Sequence, residues 1–225
     1  MILALETATT AASVALVHGD TVLAHAAVPQ TRRHTEVLMG LIDEVLETAG
    51  ATLADLTAIA CDIGRGLFAG LRVGVAMAQG FAVAGGLKVI PVTSLFALAT
   101  GEAGDRAALV DARRGEVFVQ LFGGEALRPQ ALGEPLVVAP EHLPQIIGPE
   151  VIVIGSGGEA SDTVLREAKR QCSVSNPVPQ ATQIGLLAAQ VPESQWSEAQ
   201  LLRPLYLRDA DAKVNFQQRL SPGAS

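Results

Sequence analysis

The sequence predicts an α/β fold of two lobes, each built on a mixed β-sheet flanked by helices. Three observations predict it. Each half of the chain opens with short apolar strands and a hairpin, then runs through a strand–glycine–helix unit. Long segments show apolar residues at spacings of three and four, between shorter runs that alternate or are apolar throughout. Finally, 49% of the 225 residues are hydrophobic but only 4% are aromatic, which gives an aliphatic, finely packed core. The repeat is one of architecture, without matching residues.

The elements follow in order. Ile2 to Leu5 is an apolar strand ending at Glu6, and the polar turn Thr7-Ala8-Thr9-Thr10 leads to a second strand over Ala12–Val17. His18-Gly19-Asp20 has the residues a hairpin turn needs, so Thr21–Val28 is a third strand. Thr35 to Gly50 is the clearest helix. Val37, Leu38, Leu41, Ile42, Val45, Leu46 and Ala49 share one face, with Glu36, Asp43, Glu44 and Glu47 opposite, and Gly50 suits the position after its end. Thr52 caps a short turn over Leu53–Leu56. Ile59–Ile63 is a strand, residues 70–85 a second long helix, and Lys88–Pro91 a strand parallel to its predecessor by connection length. Ser94 to Thr100 is a helix with Ser94 as its cap.

Gly101-Glu-Ala-Gly-Asp105 is polar and glycine-rich, and the boundary between a first lobe (1–100) and a second (101–208) is placed there. Ala107–Asp111 and Glu116–Phe122 are strands around an Arg113-Arg114-Gly115 turn. Gly123–Gly133 is turn-rich, and Glu134–Val138 is a further strand. Pro140–Ile147 is a short helix, Val151–Ile154 a buried strand, and Ala160–Arg170 and Thr182–Gln190 are helices. Pro204-Leu-Tyr-Leu-Arg208 is extended, and residues 209–225 form a loose polar tail.

Composition excludes several functions. Such an apolar chain is not disordered. A net charge of −7 weighs against a broad nucleic-acid-binding face, although Arg32–Arg33 and Arg113–Arg114 are local basic pairs. Cys61 and Cys172 are the only cysteines and form no metal pattern, as expected of reduced thiols in the cytoplasm. The N-terminus has no basic region before its first strand, so no signal peptide is expected. No apolar stretch reaches the roughly 20 residues that span a bilayer without glycine breaks.

The most informative run is Ile59 to Gly86, I-A-C-D-I-G-R-G-L-F-A-G-L-R-V-G-V-A-M-A-Q-G-F-A-V-A-G-G. A loop with glycines at 64, 66 and 70 opens a helix, where free N–H groups suit an anion. Behind it Gly70, Gly74, Ala78 and Ala82 recur every four residues and form a smooth face that another helix can approach. The run therefore offers a phosphate cradle or a docking surface.

The opening I-L-A-L-E-T-A-T-T-A-A-S-V-A-L, His34-Thr-Glu36 at a helix start, I-G-R-G-L-F-A-G-L-R-V-G-V-A-M-A-Q-G, L-V-D-A-R-R-G-E-V-F and the late P-L-Y-L-R together resemble the TsaB (also called YeaZ) family, in the right order along the whole chain. The resemblance implies an actin/sugar-kinase/Hsp70-like (ASKHA) fold. It also implies a role in making threonylcarbamoyladenosine (t6A) at adenosine 37 of tRNAs that read codons starting with adenine. In that family the chain is a non-catalytic subunit. It pairs through its N-terminal lobe with the catalytic paralogue TsaD and cooperates with the ATPase TsaE, while TsaC supplies threonylcarbamoyl-adenylate. ATP and that adenylate are then used by the partner assembly, and this chain holds no cofactor tightly. Two departures stand out. The family loop G-P-G-S-F-T-G-L-R is here Gly64-Arg65-Gly66-Leu67-Phe68-Ala69-Gly70-Leu71-Arg72, and Glu6 replaces the aspartate that usually ends the first strand. The lost hydroxyls weaken an anion-binding role for the loop.

Residue chemistry points the same way. A kinase of this superfamily holds Mg²⁺ and phosphates in the first hairpin. Glu6, Thr7 and Thr9 there, Gly64 and Gly66 in the loop, and Gly155 and Gly157 in the second glycine turn make up a vestigial nucleotide or anion site, although ordinary turn chemistry also explains them. A P-loop fails because no Lys-Ser or Lys-Thr pair follows a glycine. The paralogue's metal is held by an H-x-x-x-H pair on the helix corresponding to 34–49. Here His34 is followed four residues later by Leu38, and His18, His25 and His142 are isolated. Nor does any serine sit in a nucleophile elbow. The expected function is therefore carried by helix faces: His34, Leu38, Met39 and Ile42 on the first long helix, and Gly70, Val73, Gly74, Met77 and Phe81 on the second. Docking on a like pair of helices would bury roughly 1,200–2,000 Å². Alone, the same surface is expected to form a two-fold dimer, with any tRNA contact minor or indirect and no membrane contact. The alternative is an ATP-dependent small-molecule kinase on the same fold.

Overall fold

The computed structural model describes residues 1–31, 33–173 and 178–205. Arg32, residues 206–208 of the P-L-Y-L-R segment, the tail from Asp209 and the side chain of Cys172 lie outside the described part, with the expectations attached to them.

The first sheet contains β1 (Ile2–Glu6), β2 (Ala12–His18), β3 (Thr21–Val28), β4 (Ala58–Asp62) and β5 (Lys88–Val92) in the order β3-β2-β1-β4-β5. β1, β2 and β3 are antiparallel, while β4 runs parallel to β1 and β5 parallel to β4. β1 is buried on both faces, and its alternation divides the core. Leu3 and Leu5 point to α1 (His34–Ala49) and α2 (Phe68–Gly85), where they meet Leu38, Ile42, Val45, Val75, Ala78 and Ala82. Ile2 and Ala4 point the other way, to Ala97 of α3 (Ser94–Ala99) and to residues 181, 184 and 188 of a helix from the far end of the chain.

The second sheet contains β6 (Arg106–Arg113), β7 (Glu116–Glu125), β8 (Arg128–Ala131), β9 (Leu136–Val138), β10 (Ile152–Ile154) and β11 (Gln171–Ser173) in the order β11-β10-β6-β7-β8, with β9 also on β7. It too is mixed: β10 is parallel to β6, and β7 is antiparallel to it. Its helices are α4 (Leu143–Ile146), α5 (Ser156–Ala160) and α6 (Asp162–Glu167), and α7 (Ala181–Ala188) follows them. The lobes meet where Leu95, Leu98 and Ala99 of α3 pack against Ala108, Val110 and Phe122. The buried Arg106 guanidinium ties this junction together by donating to the carbonyls of Ala99, Gly104, Gly124 and Glu125.

The structure corrects four expectations. Although α7 lies in the span given to the second lobe, it packs on the first sheet, where Ala181, Ile184 and Ala188 complete the second core layer. The turn-rich 123–133 stretch is a β7–β8 hairpin, because the two glycines continue β7 rather than end it. The single helix expected over 160–170 is two short ones, and it starts at Ser156, directly after the Gly155 turn (φ +105°). The cap of α3 is Thr93, which accepts from Phe96 N at 3.3 Å, and not Ser94. Thr52 does cap its turn, its N–H and hydroxyl both donating to Asp55 Oδ2. Among the described residues no helix is long and apolar enough to cross a membrane.

Candidate functional site

Glu6 and Asp62 end the neighbouring parallel strands β1 and β4, so the sheet sets two carboxylates side by side. Both are fully buried. Glu6 Oε1 accepts from Ala8 N at 2.7 Å, while Oε2 has no partner. Asp62 Oδ1 accepts from Gly64 N at 2.8 Å, and the Ser94 hydroxyl lies 2.8 Å from both Asp62 oxygens. Burial, and then the charge of Asp62, push the Glu6 carboxyl well above the usual carboxylate range. Burial pushes Asp62 up to about 7, against the pull of its hydrogen bonds from Gly64 and Ser94. Sequence reasoning missed Asp62 and Ser94. The available signal was an acid closing the apolar strand A-I-A-C-D.

The turn after β1 and the glycine loop close over this pair. Leu67 N donates to Ala8 O, and the Thr7 hydroxyl donates to Gly70 O at 2.9 Å. His34, the first residue of α1, reaches the same turn, with Nε2 3.0 Å from Thr9 O and 3.2 Å from Ala11 O. The glycines have a steric reason. A Cβ on Gly66 would stand 2.2 Å from Ala8 O, one on Gly70 2.0 Å from Thr7 O, and one on Gly74 2.3 Å from Thr7 Oγ1. Gly155 and Gly157 serve the second lobe likewise, and Cβ atoms there would meet Leu109 at 2.3 and 2.8 Å.

The expected nucleotide residues are thus only partly brought together. Thr9 and Gly66 line an interlobe cleft of about 410 Å³ with Thr10, Leu67, Asp111, Arg113 and Ser156. Glu6, Thr7, Gly64, Gly155 and Gly157 do not line it. Across the cleft Arg113 is ion-paired with Asp111 at 2.9 Å. Among the described residues, no three His, Cys, Asp or Glu side chains are grouped to hold a metal.

The helix-face residues divide as well. Leu38 and Ile42 lie in the core of the first lobe, His34 is spent on the turn, and Gly70 and Gly74 face Thr7. Packing within the chain's own first lobe, on the core or on the turn after β1, therefore claims all five. Met39 is 42% exposed, and Val73, Met77 and Phe81 are half-buried at the rim of the core. The outer side of α2 also carries Ala76, Gly80, Val83 and Ala84, all exposed, and beyond the helix's own backbone no described atom lies within 4 Å of where a Gly80 Cβ would sit. The exposed small residues of α2 thus lie on the far side of the helix from the glycine stripe that spacing alone singled out.

This arrangement has known relatives. The family profile described as TsaD, tRNA N6-adenosine threonylcarbamoyltransferase, matches residues 21–216. The tRNA threonylcarbamoyladenosine biosynthesis protein TsaB of Escherichia coli K12 is 35% identical over 188 residues, covering 75% of this chain and 79% of that protein. The chain belongs to the TsaB (YeaZ) family. A solved structure from Pseudomonas aeruginosa, titled YeaZ, superposes with a TM-score of 0.79 at 29% identity, over 92% of this chain and 99% of its own. A tRNA N6-adenosine threonylcarbamoyltransferase of Streptococcus suis is 38% identical over 111 residues, which is 42% of this chain and 33% of that protein. The ADPNP-bound activator of 2-hydroxyisocaproyl-CoA dehydratase from Clostridium difficile (TM-score 0.51, 11% identity) shares the fold alone. The fold is of the ASKHA type expected from the sequence.

Proposed function

We propose that this chain is a non-catalytic subunit of the cytoplasmic machinery that makes t6A in tRNA. In this reading it docks on a TsaD-like paralogue through the outer side of α2, a TsaE-like ATPase joins the pair, and without the paralogue two copies associate through the same side. The E. coli TsaB likeness supports the pathway. One observation carries the non-catalytic part: the Glu6–Asp62 pair, where a kinase of this fold would hold Mg²⁺, is fully buried beneath the turn and the glycine loop. The groups of that turn are spent inside the chain, on Gly70, Leu67 and His34. The chain then holds no nucleotide tightly, and ATP and threonylcarbamoyl-adenylate are consumed by the assembly.

The test is Ala76→Glu, which puts a charge at the centre of the open face without touching the core. Size-exclusion chromatography with light scattering should show an unchanged thermal midpoint, loss of self-association and at least a ten-fold weaker complex with the TsaD-like partner. Intact partner binding in Ala76→Glu would move the interface elsewhere. Saturable ATP·Mg²⁺ binding by the isolated chain in calorimetry would favour the kinase reading instead.

A further inference from the structure

We propose that a cavity behind the interlobe junction binds a small amphipathic organic acid. It measures about 780 Å³, a size typical of small-molecule sites, and shares no lining residue with the cleft around Thr9 and Gly66. Both lobes wall it. Val92, Phe96, Leu187 and Val191 contribute apolar wall from the first lobe, and Arg128 and Gln130 come from β8. The Phe96 ring is held in place by edge-on packing on Phe122, with centroids 4.8 Å apart and planes at 80°.

The polar groups of the wall separate into spent and unspent. The Gln190 amide donates to Leu127 O and Leu186 O, and the Thr93 hydroxyl caps α3. Arg128 and Asp20 both line the cavity and are exposed, and among the described residues neither side chain has an ion-pair or hydrogen-bond partner. A free arginine in a cavity with apolar walls selects a carboxylate or phosphate on an apolar body. Asp20 is an acceptor for a hydroxyl or amine of the same molecule. The ligand class is therefore an apolar body that carries an acid for Arg128, with a donor group for Asp20.

Fluorescence titration of the full chain with dansylglycine and dansylcadaverine tests this, since the probes share an aromatic body and carry opposite charge. Dansylglycine should bind saturably at one site. Arg128→Glu should weaken it at least ten-fold and strengthen dansylcadaverine. Val191→Trp, which fills the apolar side, should weaken dansylglycine at least ten-fold with an unchanged far-ultraviolet spectrum. Absence of saturable dansylglycine binding to the wild type overturns the proposal. So does an affinity that Arg128→Glu leaves within two-fold of the wild type.

Discussion

The two long sides of α2 are built from the same small residues and do opposite things. Toward the sheet, Gly70 and Gly74 let the backbone and hydroxyl of Thr7 come into contact with the helix, and Ala78 and Ala82 settle into the core. Away from the sheet, Ala76, Gly80 and Ala84 are exposed, and beyond the helix's own backbone a Cβ on Gly80 would meet no described atom within 4 Å. Small residues at helical spacing thus encode close approach without saying what approaches. On the inner side the answer is the chain's own first turn, so a Cβ is forbidden there. On the outer side a Cβ fits in the monomer, and only a partner could object to it.

Gly70→Ala is the largest way to break this contrast. The added carbon would sit 2.0 Å from the Thr7 carbonyl oxygen, a backbone atom that cannot swing aside as a side chain can. Either α2 or the turn must shift, and the Thr7–Gly70 and Leu67–Ala8 hydrogen bonds go with it. Overpacking of this kind costs about 3 kcal/mol or more, or about 6–12 °C in Tm for a chain this long. Differential scanning calorimetry would show it. A variant as stable as the wild type would mean that the turn does not rest on the helix.

Much of this was readable from local pattern. The strands β2 and β3, the His18-Gly19-Asp20 hairpin between them and the apolar stripe of α1 are set by neighbours within a few residues, and they appear as expected. What pattern could not supply is which side of an element faces what. Leu38 and Ile42 lie on the predicted stripe, but the whole stripe is used up by the sheet. The Asp62–Ser94 contact joins positions 32 residues apart, at the end of a strand and the start of a helix, and no spacing rule connects them. β8 carries a proline in four residues and α5 two glycines in five, so local propensity argued against elements that tertiary packing imposes.

A smaller effect sharpens the inner side. The sealed Glu6–Asp62 pair has folded-state pKa values above those of the unfolded chain, Asp62 reaching about 7. The folded state therefore binds more protons between the two ranges. Stability falls as pH rises above the ordinary carboxylate range, and Asp62 makes its share of that loss by about pH 7. Glu6→Gln keeps an acceptor for Ala8 N and removes one of the two buried charges. Its stability should match that of the wild type at pH 4 and exceed it at pH 8, by on the order of 1–2 kcal/mol, which thermal melts at the two pH values would show. Parallel pH–Tm curves for the two proteins would show that the pair does not titrate together in the folded state.

Gly80→Ala is the gentlest probe, and its two readouts should move in opposite directions. Position 80 is a helix interior with open space around the missing Cβ, so alanine removes glycine's backbone entropy cost at no steric expense. The monomer should gain about 0.5–1 kcal/mol. If a partner helix comes as near to this side as the Thr7 turn comes to the other, the same methyl must weaken the complex with the TsaD-like protein several-fold. A stabilised variant that binds its partner as tightly as before would leave the outer side of α2 a plain solvent face, and the resemblance between the two sides would be one of composition only.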